Sequence, residues 1–519
     1  MTGRPQEMIE GLSRPAAYPH PVDQVERVET HISWVLLAGD YAYKFKKPLD
    51  LGFLDFRERA RRLHYCEEEI RLNGRLAPEL YLDVVGARET ADGWRIGPLG
   101  DDAEPAVRMR RFPAEAQLDR RLDAGRLDAR ALEAFALELA AFQRDLPRAA
   151  PGDGYGDAAA ATRPALANFA ALPGAQLDAS TAALADELET WTRQHAATLA
   201  DRFAARLAAG FVREGHGDLH LANMVMLDDR VAAFDGIEFD PALRWIDIQS
   251  EVAFLLMDLE SRDHAGLGWR FYNAWLAALG DYDGLALLPW YLVYRHLVRA
   301  KIDGIRLAQA GLDDRAAMRL RDRIAAHLDC AQRHANPPTP MLVLMHGVSG
   351  SGKSHLAARL APCLPAAWVR SDVERKRLHG HDPLDAAPAG IGQGLYDADS
   401  SKRTYARLAE ISRTALDAGV SLVVDAAFLE MERRDAFVRL ALEHGAQPVV
   451  LACEAPPALL RQRVAARRDD PSDAGLAVLE AQLARTIPTG PREAKFRVTA
   501  DTSEEIDAIA LAARLRQVR

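Results

Sequence analysis

At 519 residues the chain is too long for a single hydrophobic core, which predicts two or three domains. With 49% hydrophobic and 27% charged residues it has the composition of an ordinary globular protein, and a formal net charge of -10 argues against a general nucleic-acid binder, which carries a net basic face. The cysteines Cys66, Cys330, Cys363 and Cys453 are far apart and form no C-x-x-C pair, which excludes metal-knuckle and dithiol motifs. Together with a start, Met1 to Glu7, that has no apolar signal-peptide core, this predicts a cytoplasmic protein with reduced thiols.

Residues 1–24 read as an N-terminal extension. Residues 31–48 alternate and carry Ile32, Trp34, Val35, Tyr41, Tyr43 and Phe45, which predicts two strands joined at Ala38-Gly39-Asp40. Residues 55–76 are charged with a helical period, and 81–112 read as further strands, broken at Asp92-Gly93 and Gly100-Asp101-Asp102. From about 115 to 210 the chain is rich in Ala, Leu and Arg and helical, with a loop near Pro151-Gly152-Asp153-Gly154, and helices resume after a motif at 216–236 and run to 333. The apolar stretch from Leu285 to Tyr294 contains Pro289 and is too short to span a bilayer, so no membrane association is expected. Strands first and helices afterwards predict a small β lobe (about 25–113) with a larger α lobe (about 114–335).

Pro337, Pro338 and Pro340 forbid helix continuation and mark a linker at 336–340. From 341 to 519 the pattern changes to alternating strand and helix: strands at 341–346, 366–370, 420–425 and 447–453, with helices from 353 and at 401–418, 431–444 and 456–468. This alternation predicts an α/β domain with a parallel sheet.

The first chemical signature is His216-Gly217-Asp218-Leu219-His220-Leu221-Ala222-Asn223, followed by Phe234-Asp235-Gly236. Phosphoryl transfer needs a base for the acceptor hydroxyl, a metal cage, and a cation on the nucleotide phosphates. Asp218 lies five residues before Asn223, the spacing of a kinase catalytic loop, and Asp235 ends the apolar run Val231–Phe234, where a second metal carboxylate belongs. The segment resembles the aminoglycoside phosphotransferase-like kinases, which include choline and fructosamine kinases. That resemblance implies a protein-kinase-like α+β fold, with Asp218 as base, Asn223 and Asp235 as Mg²⁺ ligands, and Asp247 buttressing the catalytic loop. The phosphate-binding lysine is expected on the 41–47 strand, as Lys44 or Lys46, which face the same side. Its helical partner is Glu69 or Glu68. A G-x-G-x-x-G loop is missing; only Gly39 occupies the turn. Arg295, Arg299 and Lys301 form a cationic group that is either an acceptor site or a set of ion-paired residues.

The second signature, Gly347-Val348-Ser349-Gly350-Ser351-Gly352-Lys353-Ser354, is a complete P-loop between a predicted strand and helix. Its backbone N–H groups, from Gly347 through Ser349, Gly350, Ser351 and Gly352, cradle phosphates; Lys353 reaches the β/γ oxygens and Ser354 ligates Mg²⁺. Asp372 follows the second strand, well placed to take a hydroxyl proton, and Asp425 ends a third strand, placed to position Mg²⁺. This layout resembles the small P-loop kinases of the polynucleotide 5'-kinase, zeta-toxin, chloramphenicol-phosphotransferase and gluconate-kinase group. The resemblance implies Asp372 as general base, Asp425 as second-strand acid, and Arg463 and Arg467 as lid cations. The fused order as a whole resembles bifunctional aminoglycoside phosphotransferase/ATP-binding proteins. That resemblance implies folds and no particular acceptor; the nucleotide ligands and candidate base in each signature predict two ATP- and Mg²⁺-dependent centres, with small hydroxylated substrates expected. An ATP-sensing role for one half is an alternative. A 5'-hydroxyl polynucleotide kinase in the P-loop half is another, disfavoured by the net charge.

Overall fold

The computed structural model describes residues 4–50, 52, 54–172, 176–308, 311–382, 398–466, 475–485 and 487–518. The chain folds into two compact units. The first comprises Met1–Ala131, Leu146–Gly156 and Gly210–Glu251, and the second Leu132–Asp145, Asp157–Ala209 and Val252–Arg519. The proline segment at 336–340 lies inside the second unit.

In the first unit, β1 (Val25–Glu29), β2 (Ser33–Ala38), β3 (Tyr41–Lys46), β4 (Tyr81–Thr90), β5 (Gly93–Gly97) and β6 (Glu104–Arg110) form one antiparallel sheet in the order β1-β2-β3-β6-β4-β5. The alternation along β3 assigns its two faces. Tyr43 and Phe45 join an apolar cluster with Leu36, Val85, Ile96 and, from the helix Arg4–Leu12, Met8, Ile9 and Leu12. Lys44 and Lys46 therefore project from the opposite face, where the helix Arg59–Asn73 supplies their partner. Residues 1–24 thus do more than extend the chain: the Met8, Ile9 and Leu12 stripe has helical spacing and covers the sheet.

Two small hairpins complete this unit. β7 (Val212–Glu214) pairs with β10 (Trp245–Asp247), and β8 (Met224–Leu227) pairs with β9 (Arg230–Ala233). Asp228 and Asp229, the two residues between β8 and β9, have φ of 43° and 65°. Positive φ at both central residues is the backbone that matches strand twist in a two-residue hairpin, and short Asp side chains tolerate it.

The second unit combines helices with the P-loop sheet. The helices Ala179–Thr198, Leu288–Leu307 and Asp314–Ala335 bury Leu188, Val293, Leu297, Ile324 and Leu328 in one cluster. β11 (Met341–His346), β12 (Ala367–Arg370), β13 (Leu422–Asp425), β14 (Gln447–Glu454) and β15 (Arg497–Asp501) form a wholly parallel sheet in the order β12-β13-β11-β14-β15. Every residue of β11 is buried, as expected of a strand covered on both faces. The edge strand β12 is capped by a side chain: Asn273, on the helix Ala265–Leu279, donates to Ala366 O at 3.0 Å and accepts from Trp368 N at 2.8 Å. Tyr282 OH adds a 3.1 Å bond to Trp368 O. Among the described residues no helix is long and apolar enough to cross a membrane.

Candidate active sites

The β8–β9 hairpin explains how the first signature assembles. Met224 pairs with Ala233, so Asn223 and Phe234 stand together at the open end, and Phe234 N donates to Asn223 O at 2.9 Å. Asp235 follows with φ 60°, a left-handed conformation for a non-glycine residue of the kind that collects at functional sites. It is held by its own amide, which donates to Tyr81 OH at 3.0 Å, and by Gly236 N donating to Asn73 Oδ1 at 2.7 Å. Asn223 Nδ2 donates to Asp218 Oδ2 at 2.8 Å, and His220 Nε2 lies 3.4 Å from the same oxygen. The Asp218 side chain is one-third exposed, open to an incoming group.

Gly217 shows why this loop has glycine after His216. Its φ is 84°, and a Cβ there would lie 2.6 Å from Leu243 O, so a side chain would meet backbone as well as strain. His216 is buried; its Nε2 lies 2.9 Å from Phe234 O and its Nδ1 is placed to accept from Asp218 N at 3.3 Å. Burial pushes this imidazole below its usual value, against the pull of Glu251 and Asp218, so it is a neutral spacer in the loop. The loop backbone is tied by Glu251, whose carboxylate accepts from His216 N and, at 3.1 Å, from Gly217 N. Asp247, expected to buttress the loop, is buried at the end of β10 and accepts from Gln249 N at 2.9 Å.

Both candidate lysines reach the same glutamate. Lys44 Nζ is 2.8 Å from Glu69 Oε1 and 2.5 Å from Asp235 Oδ1, while Lys46 Nζ is 2.8 Å from Glu69 Oε2 and also bonds Glu238. Glu68 instead pairs with Arg71 and Arg244. Burial alone would lower the Lys44 ammonium, but Asp235 and Glu69 outweigh it and hold it well above its ordinary range. Lys44 is thus the lysine that joins the Glu69 helix to Asp235, whereas Lys46 is wholly buried within its own ion pairs. Glu238 and Glu251 were not anticipated. Glu238 follows three residues after Asp235 in Asp235-Gly236-Ile237-Glu238, a spacing open to reading; Glu251 has no local signature.

In the second unit, β11 lies between β13 and β14, where the strand order reverses; ligands of open α/β sheets bind at the carboxyl ends of strands at such a point. The P-loop begins there. Gly347 has φ 147°, and a Cβ would lie 2.6 Å from Cys453 O, so only glycine fits. The helix Lys353–Cys363 follows Gly352 directly and aims its N-terminal amides at the loop. Lys353 Nζ donates to Val348 O at 2.8 Å and stands 3.4 Å from Ser351 Oγ. Ser349 N, one of the cradle amides, donates to Gln482 Oε1 at 2.7 Å, a contact the motif does not reveal.

Asp425 ends β13 and is 5% exposed. Its Oδ2 is buried without a hydrogen-bond partner, 3.9 Å from Arg370 Nε. Burial pushes this carboxyl above its ordinary value, opposed by Arg370, the Ser354 hydroxyl and Lys353. A buried acceptor beside a P-loop serine suits a cation, so Ser354 and Asp425 fit a Mg²⁺ ion by their donor chemistry. Asp372 sits in the first turn of the helix Ser371–Leu378, and Arg375 donates to its Oδ1 at 3.0 Å. Arg463 closes the other side: it donates to Thr502 O at 2.6 Å and lies 3.5 Å from Gly350 O. A cleft of about 580 Å³ is lined by Gly352, Lys353, Ser354, Arg463 and Thr502. Arg467 lies outside the described residues. Arg295 is buried with its guanidinium 4.5 Å from the Phe254 ring centre and 5.0 Å from that of Tyr294.

The fold class follows from these elements: an α+β fold built on an antiparallel sheet in the N-terminal region and a P-loop α/β fold with a parallel sheet at the C-terminus. A family model described as AAA domain matches residues 342–489. The chain belongs to the same family as the uncharacterized protein Rv2004c of Mycobacterium tuberculosis, to which it is 31% identical over 486 residues, 91% of this chain and 95% of that one. Among solved structures, a choline/ethanolamine kinase family protein from Mesorhizobium loti is 15% identical with a TM-score of 0.38, covering 64% of this chain and 97% of its own. A sugar kinase from Janibacter sp. HTCC2649 is 21% identical with a TM-score of 0.27, covering 35% of this chain and 94% of its own.

Proposed function

We propose that the protein is a bifunctional ATP-dependent phosphotransferase, with residues 25–335 and 341–519 as functional halves that each pass the γ-phosphate of ATP to a hydroxyl of a small molecule. The observation that carries this reading is that each region gathers a lysine beside a carboxylate suited to metal and holds a second, partly exposed carboxylate suited to base chemistry. In the N-terminal half, Lys44, oriented by Glu69, neutralises phosphate oxygens. Asp218 accepts the proton as the acceptor oxygen bonds to the γ-phosphorus and the bond to the β–γ bridging oxygen breaks. In the C-terminal half the P-loop amides and Lys353 hold the phosphates, Asp372 takes the corresponding proton, and Arg463 closes over the transferred group.

Asn223 and Asp235 in one centre, and Ser354 and Asp425 in the other, would hold Mg²⁺. The ion would supply charge neutralisation on the phosphates. Calorimetric titration with a non-hydrolysable ATP analogue and Mg²⁺ tests the reading. The full-length protein is expected to bind two equivalents, with Lys44→Ala and Lys353→Ala each removing one. A single equivalent lost in Lys353→Ala and retained in Lys44→Ala would leave the N-terminal half without a nucleotide.

A further inference from the structure

The second unit contains a group of side chains that phosphoryl transfer does not use. Glu260 ends the helix Ile248–Glu260, His296 lies in the helix Leu288–Leu307, and His334 lies in the last turn of the helix Asp314–Ala335. One potential ligand atom from each falls within 4.8 Å of the other two. His334 Nε2 is 3.0 Å from Glu260 Oε2, and the His296 and His334 rings stack with centres 5.6 Å apart.

His296 provides the independent sign that this is more than an ion pair. It is 1% exposed, and its Nε2 has no hydrogen-bond partner although it is buried. A buried polar atom without a partner is costly, roughly 1–3 kcal/mol, and calls for an explanation. The other nitrogen, Nδ1, lies 3.2 Å from His327 Nδ1. With Nδ1–H donated to His327, Nε2 carries the lone pair, the tautomer a metal ligand requires. Glu260 is also oriented: its Oε1 accepts from Trp269 Nε1 at 3.1 Å, leaving Oε2 for the site.

We propose that Glu260, His296 and His334 form a binding site for a divalent transition metal of the zinc class, with His327 and Trp269 as outer partners that orient His296 and Glu260. Two imidazoles and one carboxylate are a donor set for zinc, with water completing four-coordination. A tetrahedron with bonds of about 2.0–2.2 Å has edges of about 3.3–3.6 Å, so the observed spacings need only side-chain adjustment. Glu260 and His334 are 13% and 24% exposed at their side chains, which gives an ion a way in. Three helices meet at the site, and His334 lies two residues before the proline segment 336–340 that leads into β11. The metal would therefore act as a staple that fixes the end of the Asp314–Ala335 helix to its neighbours.

The test uses tag-free, full-length protein stripped with chelator and kept in excess Mg²⁺, so that the phosphate-site carboxylates do not report. Zinc is titrated against a chromophoric chelator, and Co²⁺ is added separately for its visible absorption. Wild type is expected to take up one equivalent of Zn²⁺, to show tetrahedral Co²⁺ bands, and to melt at higher temperature with Zn²⁺ than without. His334→Ala and Glu260→Gln, at partly exposed positions, are expected to lose the equivalent, the bands and the metal-dependent shift. His327→Gln should weaken Zn²⁺ binding by roughly 10–100-fold. The proposal is overturned if folded wild type takes up no more Zn²⁺ than the Glu260→Gln, His334→Ala double variant, or if the two single variants bind as wild type does.

Discussion

The two candidate centres collect similar groups by opposite routes. In the first, Lys44 meets Asp235 across 191 residues and Lys46 meets Glu238 across 192, so the site is made of the same buried ion pairs that join sheet, helix and hairpin. In the second, Gly347 to Ser354 are consecutive, and the phosphate cradle is a property of one strand-loop-helix turn. A centre built from distant charges ties function to stability. A contiguous loop keeps them largely separable.

That contrast can be broken most forcefully at the chemistry. Asp218→Asn is expected to lower transfer by the N-terminal half by about 10²–10⁴-fold, as for loss of a general base. Lys353→Ala should lower transfer by the C-terminal half by roughly 10²–10³-fold, as for loss of a preorganised charge. Both are read as initial rates of labelled phosphate transfer, with melting temperatures unchanged.

Stability separates the centres next. Glu69→Gln strips two buried lysines of their shared partner and is expected to destabilise the protein by about 3–5 kcal/mol in urea unfolding. Burial would raise the Glu69 carboxyl, but Lys44 and Lys46 outweigh it and depress it. Its stabilisation is therefore complete above about pH 4.3, the unfolded value, and is lost as pH falls below that. The variant should show a flatter acid limb. Asp425→Asn should behave in the reverse sense. Burial raises that carboxyl, so its ionised form weakens the fold as pH rises through its ordinary range. Asparagine is expected to keep or raise the melting temperature at pH 7 while abolishing Mg²⁺-dependent nucleotide binding. Equal destabilisation by the two substitutions would remove the distinction.

Smaller effects probe the surroundings of the P-loop sheet. Asn273→Leu leaves Ala366 O and Trp368 N without their partner and should cost about 1–3 kcal/mol by thermal unfolding. Gln482→Ala frees the Ser349 amide for phosphate. A hydrogen bond worth about 1 kcal/mol predicts roughly fivefold tighter nucleotide binding, measured by calorimetry.

What could be read in the sequence follows the same division. The P-loop, Asp425 and the strand-helix alternation are local, and β11 to β14 fall where the apolar runs place them. The hairpin that joins Asn223 to Asp235 is also local, since both lie within one turn of chain reversal. β15 and the helix Leu476–Leu483 carry weaker periodicity and were not anticipated. Lys44 and Lys46 could not be separated by period alone, because they share a face; Asp235, far along the chain, distinguishes them in space. Glu251, Gln482 and Asn273 act by bonding backbone groups of distant segments, and no local pattern marks a side chain whose partner is main chain.

We propose two independent transfer centres in one chain. The most direct measurement offers labelled ATP and a library of small hydroxylated metabolites to wild type, Asp218→Asn and Lys353→Ala in parallel, with a 5'-hydroxyl oligonucleotide as a further acceptor. Two phosphorylated product sets are expected, each erased by one substitution and untouched by the other, with none on the oligonucleotide. A single product set lost in only one variant, or transfer that survives both substitutions at full rate, would contradict the account.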